Sequence, residues 1–241
     1  MIFLFTDYGL DGPYIGQVKT VLYQMAPNER VINLMVDAPR NNPKVSAYLL
    51  ASLIPQIPTG SILFCVIDPG VGSHDDKPVI IEADERWYVG PDNGLFDIVM
   101  RQSKEHECWE ITWQPDNLSM SFHGRDLYAP VCAMIANEQT VPVEKIAWQD
   151  RHQWPDDLYE IIYIDHFGNA MTGIRAMMLD SHNKLQINNK QISYASTFSS
   201  VKKGEAFWYS NSNGLVEIAV NQGSAQEFCN ININNSLQVL S

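Results

Sequence analysis

Five short polar stretches hold the residues whose types and spacing could do chemistry: Thr6-Asp7-Tyr8-Gly9, Asp68-Pro69-Gly70-Val71-Gly72-Ser73, Pro91-Asp92-Asn93-Gly94, Ser121-Phe122-His123-Gly124-Arg125-Asp126 and Asp165-His166-Phe167-Gly168-Asn169. A carboxylate placed as Asp7 is, just past a buried apolar run, can accept two hydrogen bonds from a ribose diol. Taken alone it reads more simply as a helix cap. In the second stretch Gly70 and Gly72 let the backbone approach a ligand, with Asp68 at the end of a strand. The spacing fits neither a P-loop nor G-x-G-x-x-G, so by itself this is a tight turn. Pro91–Gly94 reads as a turn into a helix. Gly124 provides a bend that aims His123 inward, and His123 with Asp68 could position and polarise a water molecule. Asn169 offers donor and acceptor together, suited to an amino-acid or base edge, against the plainer reading of a β-turn.

The elements that must position these residues alternate in type through the first half. Residues 2–5, 31–36 and 61–67 are short apolar runs expected as buried strands. Ile15, Val18, Val21, Leu22 and Met25 share one helical face, ended by Pro27-Asn28. Residues 45–54 read as a second helix, bounded by Pro43 and Pro55. Residues 79–82 and 86–89 form a hairpin around Ala83-Asp84-Glu85, and 94–101 and 127–137 read as helices. This alternation predicts an α/β N-terminal domain over residues 1–150, a mostly parallel sheet sandwiched by helices, with chemistry at the carboxyl ends of its strands. After a polar linker at 149–157 the texture changes to short β-type runs (158–164, 184–187, 191–194, 206–209, 215–220, 237–240) joined by Asn188-Asn189 and Asn213-Gly214 turns. A smaller C-terminal β domain over 158–241, a barrel or a sandwich, is expected.

Composition narrows the partners. Lys+Arg 16 against Asp+Glu 28 gives a net charge of −12, which argues against a nucleic-acid backbone or an anionic membrane as partner. Four cysteines without a Cys-x-x-Cys pair argue against a zinc knuckle or redox motif. The start, MIFLFTDYG, lacks Lys and Arg and is too short an apolar run for a signal peptide, and no run approaches a spanning helix. A cytoplasmic protein is expected.

The combination and order of TDYG…YIGQVK, VIDPGVGS, VGPDNGLF, SFHGRDLYAP and YIDHFGNAMT resembles the S-adenosyl-L-methionine (SAM) hydrolase family, the SAM hydroxide adenosyltransferases, over residues 1–224. The resemblance implies an N-terminal α/β domain, a C-terminal β-barrel, and a homotrimer with SAM bound between the N-terminal domain of one subunit and the C-terminal domain of its neighbour. It implies attack of water on the ribose 5′ carbon, releasing adenosine and L-methionine. The sulfonium is already a good leaving group, so neither cofactor nor metal is called for. Position by position it makes Asp7 the ribose ligand, Asp68 and His123 the water-activating residues, and Asp165, Asn169, Ser212 and Glu217 the residues holding the rest of SAM. Asn93 is counted with the substrate-binding residues. The family's arginine just past DPGVGS has no counterpart in Ser73-His74-Asp75-Asp76-Lys77-Pro78. Lys77 is taken as its stand-in in the catalytic set, with Arg125 as the other candidate. Asn41 or Asn42 stands about where the related halogenating enzymes place a Trp.

Three other readings compete. The halogenases carry Tyr-x-x-Thr where this chain has Asp68-Pro69-Gly70-Val71, and a carboxylate there repels a halide. The fluorinating enzyme's long insertion has no room in residues 74–90. A metal-dependent phosphohydrolase would use Asp68, Asp92, His123 and Asp126. A non-catalytic SAM- or adenosine-binding module would keep Asp7 and Asn169 without turnover.

Overall fold

The computed structural model describes residues 1–73 and 76–240; His74 and Asp75, inside the segment that replaces the family arginine, and Ser241 lie outside the described residues. The chain divides into two compact units, one of Met1–Leu50 with Ile54–His152, the other of Ala51–Leu53 with the chain from Gln153 onward.

In the first unit, with the last three residues of α2 counted in the second, the elements run β1 (Ile2–Thr6), α1 (Tyr14–Met25), β2 (Val31–Met35), α2 (Pro43–Leu53), β3 (Ile62–Val66), β4 (Pro78–Ala83), β5 (Arg86–Pro91), α3 (Asp97–Gln102), β6 (His106–Ile111), a π-helical turn (Gly124–Tyr128), α4 (Ala129–Ala136) and β7 (Val143–Ile146). They build a seven-stranded sheet ordered β2-β1-β3-β5-β4-β6-β7. Its β2-β1-β3-β5 half is parallel, and β4, β6 and β7 add on antiparallel. The expected hairpin is β4–β5, turned by Asp84 and Glu85 at φ +45° and +61°, as a two-residue hairpin of matching twist requires.

β1 and β3 are buried at every position. Ile2, Leu4, Ile62, Phe64 and Val66 pack with Val18 and Leu22 of α1 and Val131 and Cys132 of α4. The alternate residues Phe3, Phe5, Leu63 and Cys65 are buried as well, so continuous apolar runs are what these two-faced parallel strands need. Each such side chain contributes roughly 1.5–3 kcal/mol on burial. The β1–β3 register pairs Thr6 with Val66, so the chain leaves both strands at the same sheet edge. That pairing brings the Asp7 and Asp68 loops together at the carboxyl ends, where open α/β sheets bind ligands.

The second unit runs β8 (Leu158–Ile164), β9 (Ala170–Arg175), β10 (Lys184–Ile187), β11 (Lys190–Tyr194), β12 (Ala206–Ser210), β13 (Leu215–Val220), α5 (Ala225–Cys229) and β14 (Gln238–Leu240). Its seven-stranded sheet, β14-β10-β11-β12-β13-β9-β8, curls into a half-barrel. The segment just before β14 returns to β8 through a Glu160–Ser236 bridge, with Ile161 N–H on the Asn235 carbonyl at 2.9 Å and Leu237 N–H on the Tyr159 carbonyl at 3.0 Å. Ile174, Leu185, Ile192, Trp208, Val216 and Ile218 fill the inside. Among the described residues no helix is long and apolar enough to cross a membrane.

Candidate active site

A cavity of about 310 Å³ opens at the carboxyl ends of β1 and β3, lined by Asp7, Tyr8, Tyr14, Arg40, Asn41, Asp68, Val71, Phe122 and His123 among others. Two glycines let its walls meet. Gly72, at φ +83°, would set a Cβ 2.4 Å from the Met120 carbonyl oxygen, and a Cβ on Gly124 would fall 2.0 Å from the Tyr8 hydroxyl. The first closes the DPGVGS loop onto residues 119–121; the second seats Tyr8 against the turn that carries His123. The turn after His123 is π-helical, with Ala129 N–H reaching the Gly124 carbonyl. Pro130, at the start of α4, has no N–H for the Asp126 carbonyl and crowds it, and the wider turn relieves that clash.

The electrostatics of the cavity set a base beside a neutral imidazole. Burial, then the nearby Asp76 carboxylate, pushes the Asp68 carboxyl up to about 6, against the Gly70 backbone, which lowers it. Asp68 Oδ1 is buried and, among the described residues, has no hydrogen-bond partner, an arrangement that disfavours the anion until a donor arrives. Burial lowers the His123 pKa against the charge of Asp126, which favours the neutral ring, able to accept a hydrogen bond. Asp7 is raised by burial, while the Asn41 N–H, 2.9 Å from its Oδ2, and the charge of Arg40 pull it back.

The second unit carries its own cavity of about 780 Å³, lined by Asp165, Phe167, Asn169, Tyr209, Asn211, Ser212 and Glu217 among others. Asp165 Oδ1 accepts the N–H groups of Phe167 and Asn169, each at 2.9 Å, and its Oδ2 accepts the Asn169 side-chain amide at 3.0 Å. The turn expected from sequence is thus an Asp165-nucleated one, and it fixes the Asn169 amide with its oxygen as the acceptor on offer. Glu217, 3% exposed, is held by the Tyr209 hydroxyl at 2.6 Å and the Asn211 amide at 2.9 Å. Burial raises its pKa. Two carboxylates and an exposed ring, Phe167 at 75%, make a site for a cationic, partly apolar group.

Comparison with known proteins identifies the architecture. Residues 2–146 match the model of the SAM hydroxide adenosyltransferase N-terminal domain, and residues 159–238 that of its C-terminal domain. The chain belongs to the SAM hydroxide adenosyltransferase family. A relative from Thermus thermophilus named (R)-S-adenosyl-L-methionine hydrolase is 31% identical, with 94% of each chain covered. One of the same name from Methanocaldococcus jannaschii is 33% identical over 73% of this chain and 67% of its own. An uncharacterized conserved protein from Thermotoga maritima superposes with TM-score 0.90 at 25% identity, covering 100% of both chains.

The residues singled out from sequence fall in two cavities, one in each unit, or outside both. Asp7, Asp68 and His123 share the first cavity; Asp165, Asn169, Ser212 and Glu217 share the second. Lys77 is 55% exposed and pairs with Glu110 on β6 at 2.5 Å, outside the residues lining the first cavity. Lys77→Ala is therefore expected to leave kcat/KM within about twofold and to cost roughly 0–1 kcal/mol, as an exposed ion pair does; steady-state kinetics and a melting curve check both. Arg125 is committed too, donating to Asp126 at 2.5 and 2.9 Å and to Gln17 at 2.8 Å. Asn93 is buried and gives its amide to the Ile67 carbonyl at 2.8 Å. It steadies the exit of β3 one residue before Asp68 and does not line the cavity. Asp92 pairs with Arg151 and Asp126 with Arg125, so two of the three carboxylates of the phosphohydrolase reading are already engaged by guanidinium groups. Among the described residues no cluster of three or more metal-ligating side chains forms.

Sequence reading missed Tyr8, Tyr14, Phe122, Arg40 and Tyr209. The first three pack as a ring cluster with centroids 5.4–6.1 Å apart. Gly124→Ala, which drives a methyl group into Tyr8, is expected to lower kcat/KM by at least about tenfold and to destabilise by roughly 1–3 kcal/mol. Kinetics with a denaturant titration measure the pair, and wild-type values in both would show that the Tyr8 contact is unimportant.

Proposed function

We propose that this protein hydrolyses S-adenosyl-L-methionine to adenosine and L-methionine. Asp7 holds the ribose hydroxyls. Asp68 accepts a hydrogen bond from water and takes its proton as the oxygen attacks C5′ from the side opposite sulfur. The C5′–S electron pair returns to sulfur, the sulfonium becomes the neutral thioether of methionine, and the proton passes on to solvent. Neutral His123 accepts the water's second hydrogen and fixes its direction. A sulfonium needs no acid or metal to leave, so positioning and exclusion of solvent are the protein's contribution. The observation that carries this reading is the buried Asp68 oxygen, without a hydrogen-bond partner among the described residues, in the cavity that also contains Asp7. A carboxyl with a pKa near 6 is a competent general base at neutral pH. The same charge disfavours a halide in its place, which weighs against halogenation.

The relatives' names specify the (R) epimer, and the proposal extends to that sulfonium configuration. It also includes a homotrimer, with SAM held between neighbouring subunits, and each unit of the chain carries a cavity of its own; light scattering at three times the chain mass tests it. A cytoplasmic setting fits four cysteines that are unpaired. Chromatography of incubations with (R)- and (S)-SAM, with and without chloride or fluoride, tests the activity. Adenosine and methionine are expected in equal amounts, faster from the (R) epimer and unchanged by halide. A 5′-halo nucleoside would establish the halogenase reading, and SAM bound but unconsumed the sensor reading.

A further inference from the structure

One arginine is among the residues lining the first cavity, Arg40. Its backbone is fixed by a turn in which Asn42 N–H donates to the Pro39 carbonyl at 3.3 Å and Asn41 adopts φ +54°. The turn is tied to the exit of β1 by Ala38 N–H on the Thr6 carbonyl at 3.1 Å, and Asn41 N–H reaches Asp7 at 2.9 Å. Arg40 therefore sits at the turn's corner, next in sequence to the residue that braces the ribose carboxylate. Its side chain is exposed and, among the described residues, makes no hydrogen bond or ion pair, with Asp7 as the neighbour that feels its charge. The cavity's rings are occupied with one another: Tyr8 and Tyr14 both pack on Phe122, and Arg125 lies over the same ring at 5.2 Å. Arg40, like His123, is a planar group of the cavity lining for which, among the described residues, no ring contact is formed.

We infer that Arg40 binds the purine of the nucleoside, laying its guanidinium plane on the adenine ring while Asp7 holds the ribose beside it. This rests on the ribose reading of Asp7 given above. Charge alone would be a poor reason for the residue, because the sulfonium of SAM is itself cationic and a guanidinium repels it. A flat, weakly hydrated cation against a π face is attractive whatever the charge at the far end of the ligand. Arg40 thus holds neutral adenosine as firmly as it holds the nucleoside part of SAM.

Calorimetric Kd for adenosine and KM for SAM, measured on wild type, Arg40→Ala, Arg40→Lys and Arg40→Phe, test the inference. Arg40→Ala is expected to weaken adenosine and raise KM by about tenfold, in line with loss of one base-stacking group, while kcat stays within about twofold. Arg40→Lys keeps the charge without the plane and is expected to bind as poorly as Arg40→Ala, whereas Arg40→Phe recovers most of the loss. Wild-type adenosine affinity in Arg40→Ala, or full recovery in Arg40→Lys with none in Arg40→Phe, would overturn it. Failure of the wild-type protein to bind adenosine at all would instead overturn the ribose reading, and the inference with it.

Discussion

Asp68→Asn is expected to lower kcat for SAM hydrolysis by roughly 10²–10⁴-fold, the range set by loss of a general base, with KM changed only a few-fold. The amide has the shape of the carboxyl and can still accept from the Gly70 backbone, so the loop is retained and the negative charge is what disappears. The pH profile separates this from a folding defect. The Asp68 carboxyl titrates at about 6; it is protonated, and idle as a base, below that value. Wild-type kcat/KM should therefore fall as pH drops through about 6, and the residual activity of Asp68→Asn should lack that acid limb. His123→Ala should lower kcat more than it changes KM. If both variants kept the wild-type rate of adenosine formation, the water-activating roles would be wrong.

Asp7→Ala is the second large effect, and it falls on binding. Two ribose hydroxyls donating to one fixed carboxylate contribute roughly 1.5–3 kcal/mol each when charge-assisted, so KM for SAM and Kd for adenosine should each rise by about a hundredfold or more, with kcat much less affected. The substitution also strips the Asn41 N–H of its acceptor, which exposes the turn carrying Arg40 to rearrangement. Asp7→Asn, which keeps one oxygen for Asn41 but loses the charge, should fall between the two. A drop in kcat at unchanged KM would place Asp7 in the chemistry and not at the ribose.

What could be read from residue order alone follows from where the signal lies. β1 and β3 announce themselves because strands buried on both faces must be apolar throughout, and the loops that follow them inherit the chemistry. β6 and β7 carry Glu107, Glu144 and Lys145 on exposed positions and Glu110 on a half-exposed one and present no apolar run. β9 contains Gly173, which reads as a breaker; a Cβ there would lie 2.6 Å from that of Leu158, so the glycine serves close strand packing. The same limits govern the site. Lys77 looked available because Glu110, its partner, stands on a strand that periodicity does not reveal. Arg40 was passed over because no local motif marks it: it reaches Asp7 through the pairing of β2 with β1, a register no short window contains. The helix expected from Leu127 begins at Ala129, since the π turn forced by Pro130 has no signature in apolar spacing.

In the proposed mechanism Asp68 delivers a water molecule to C5′ without itself bonding to carbon. A single turnover with enzyme in excess over SAM, run in ¹⁸O-water and read by mass spectrometry, tests it directly. One ¹⁸O is expected in the 5′-hydroxyl of adenosine, with methionine and protein unlabelled. Unlabelled adenosine together with ¹⁸O in the Asp68 peptide would show the carboxylate to be the nucleophile and would contradict it.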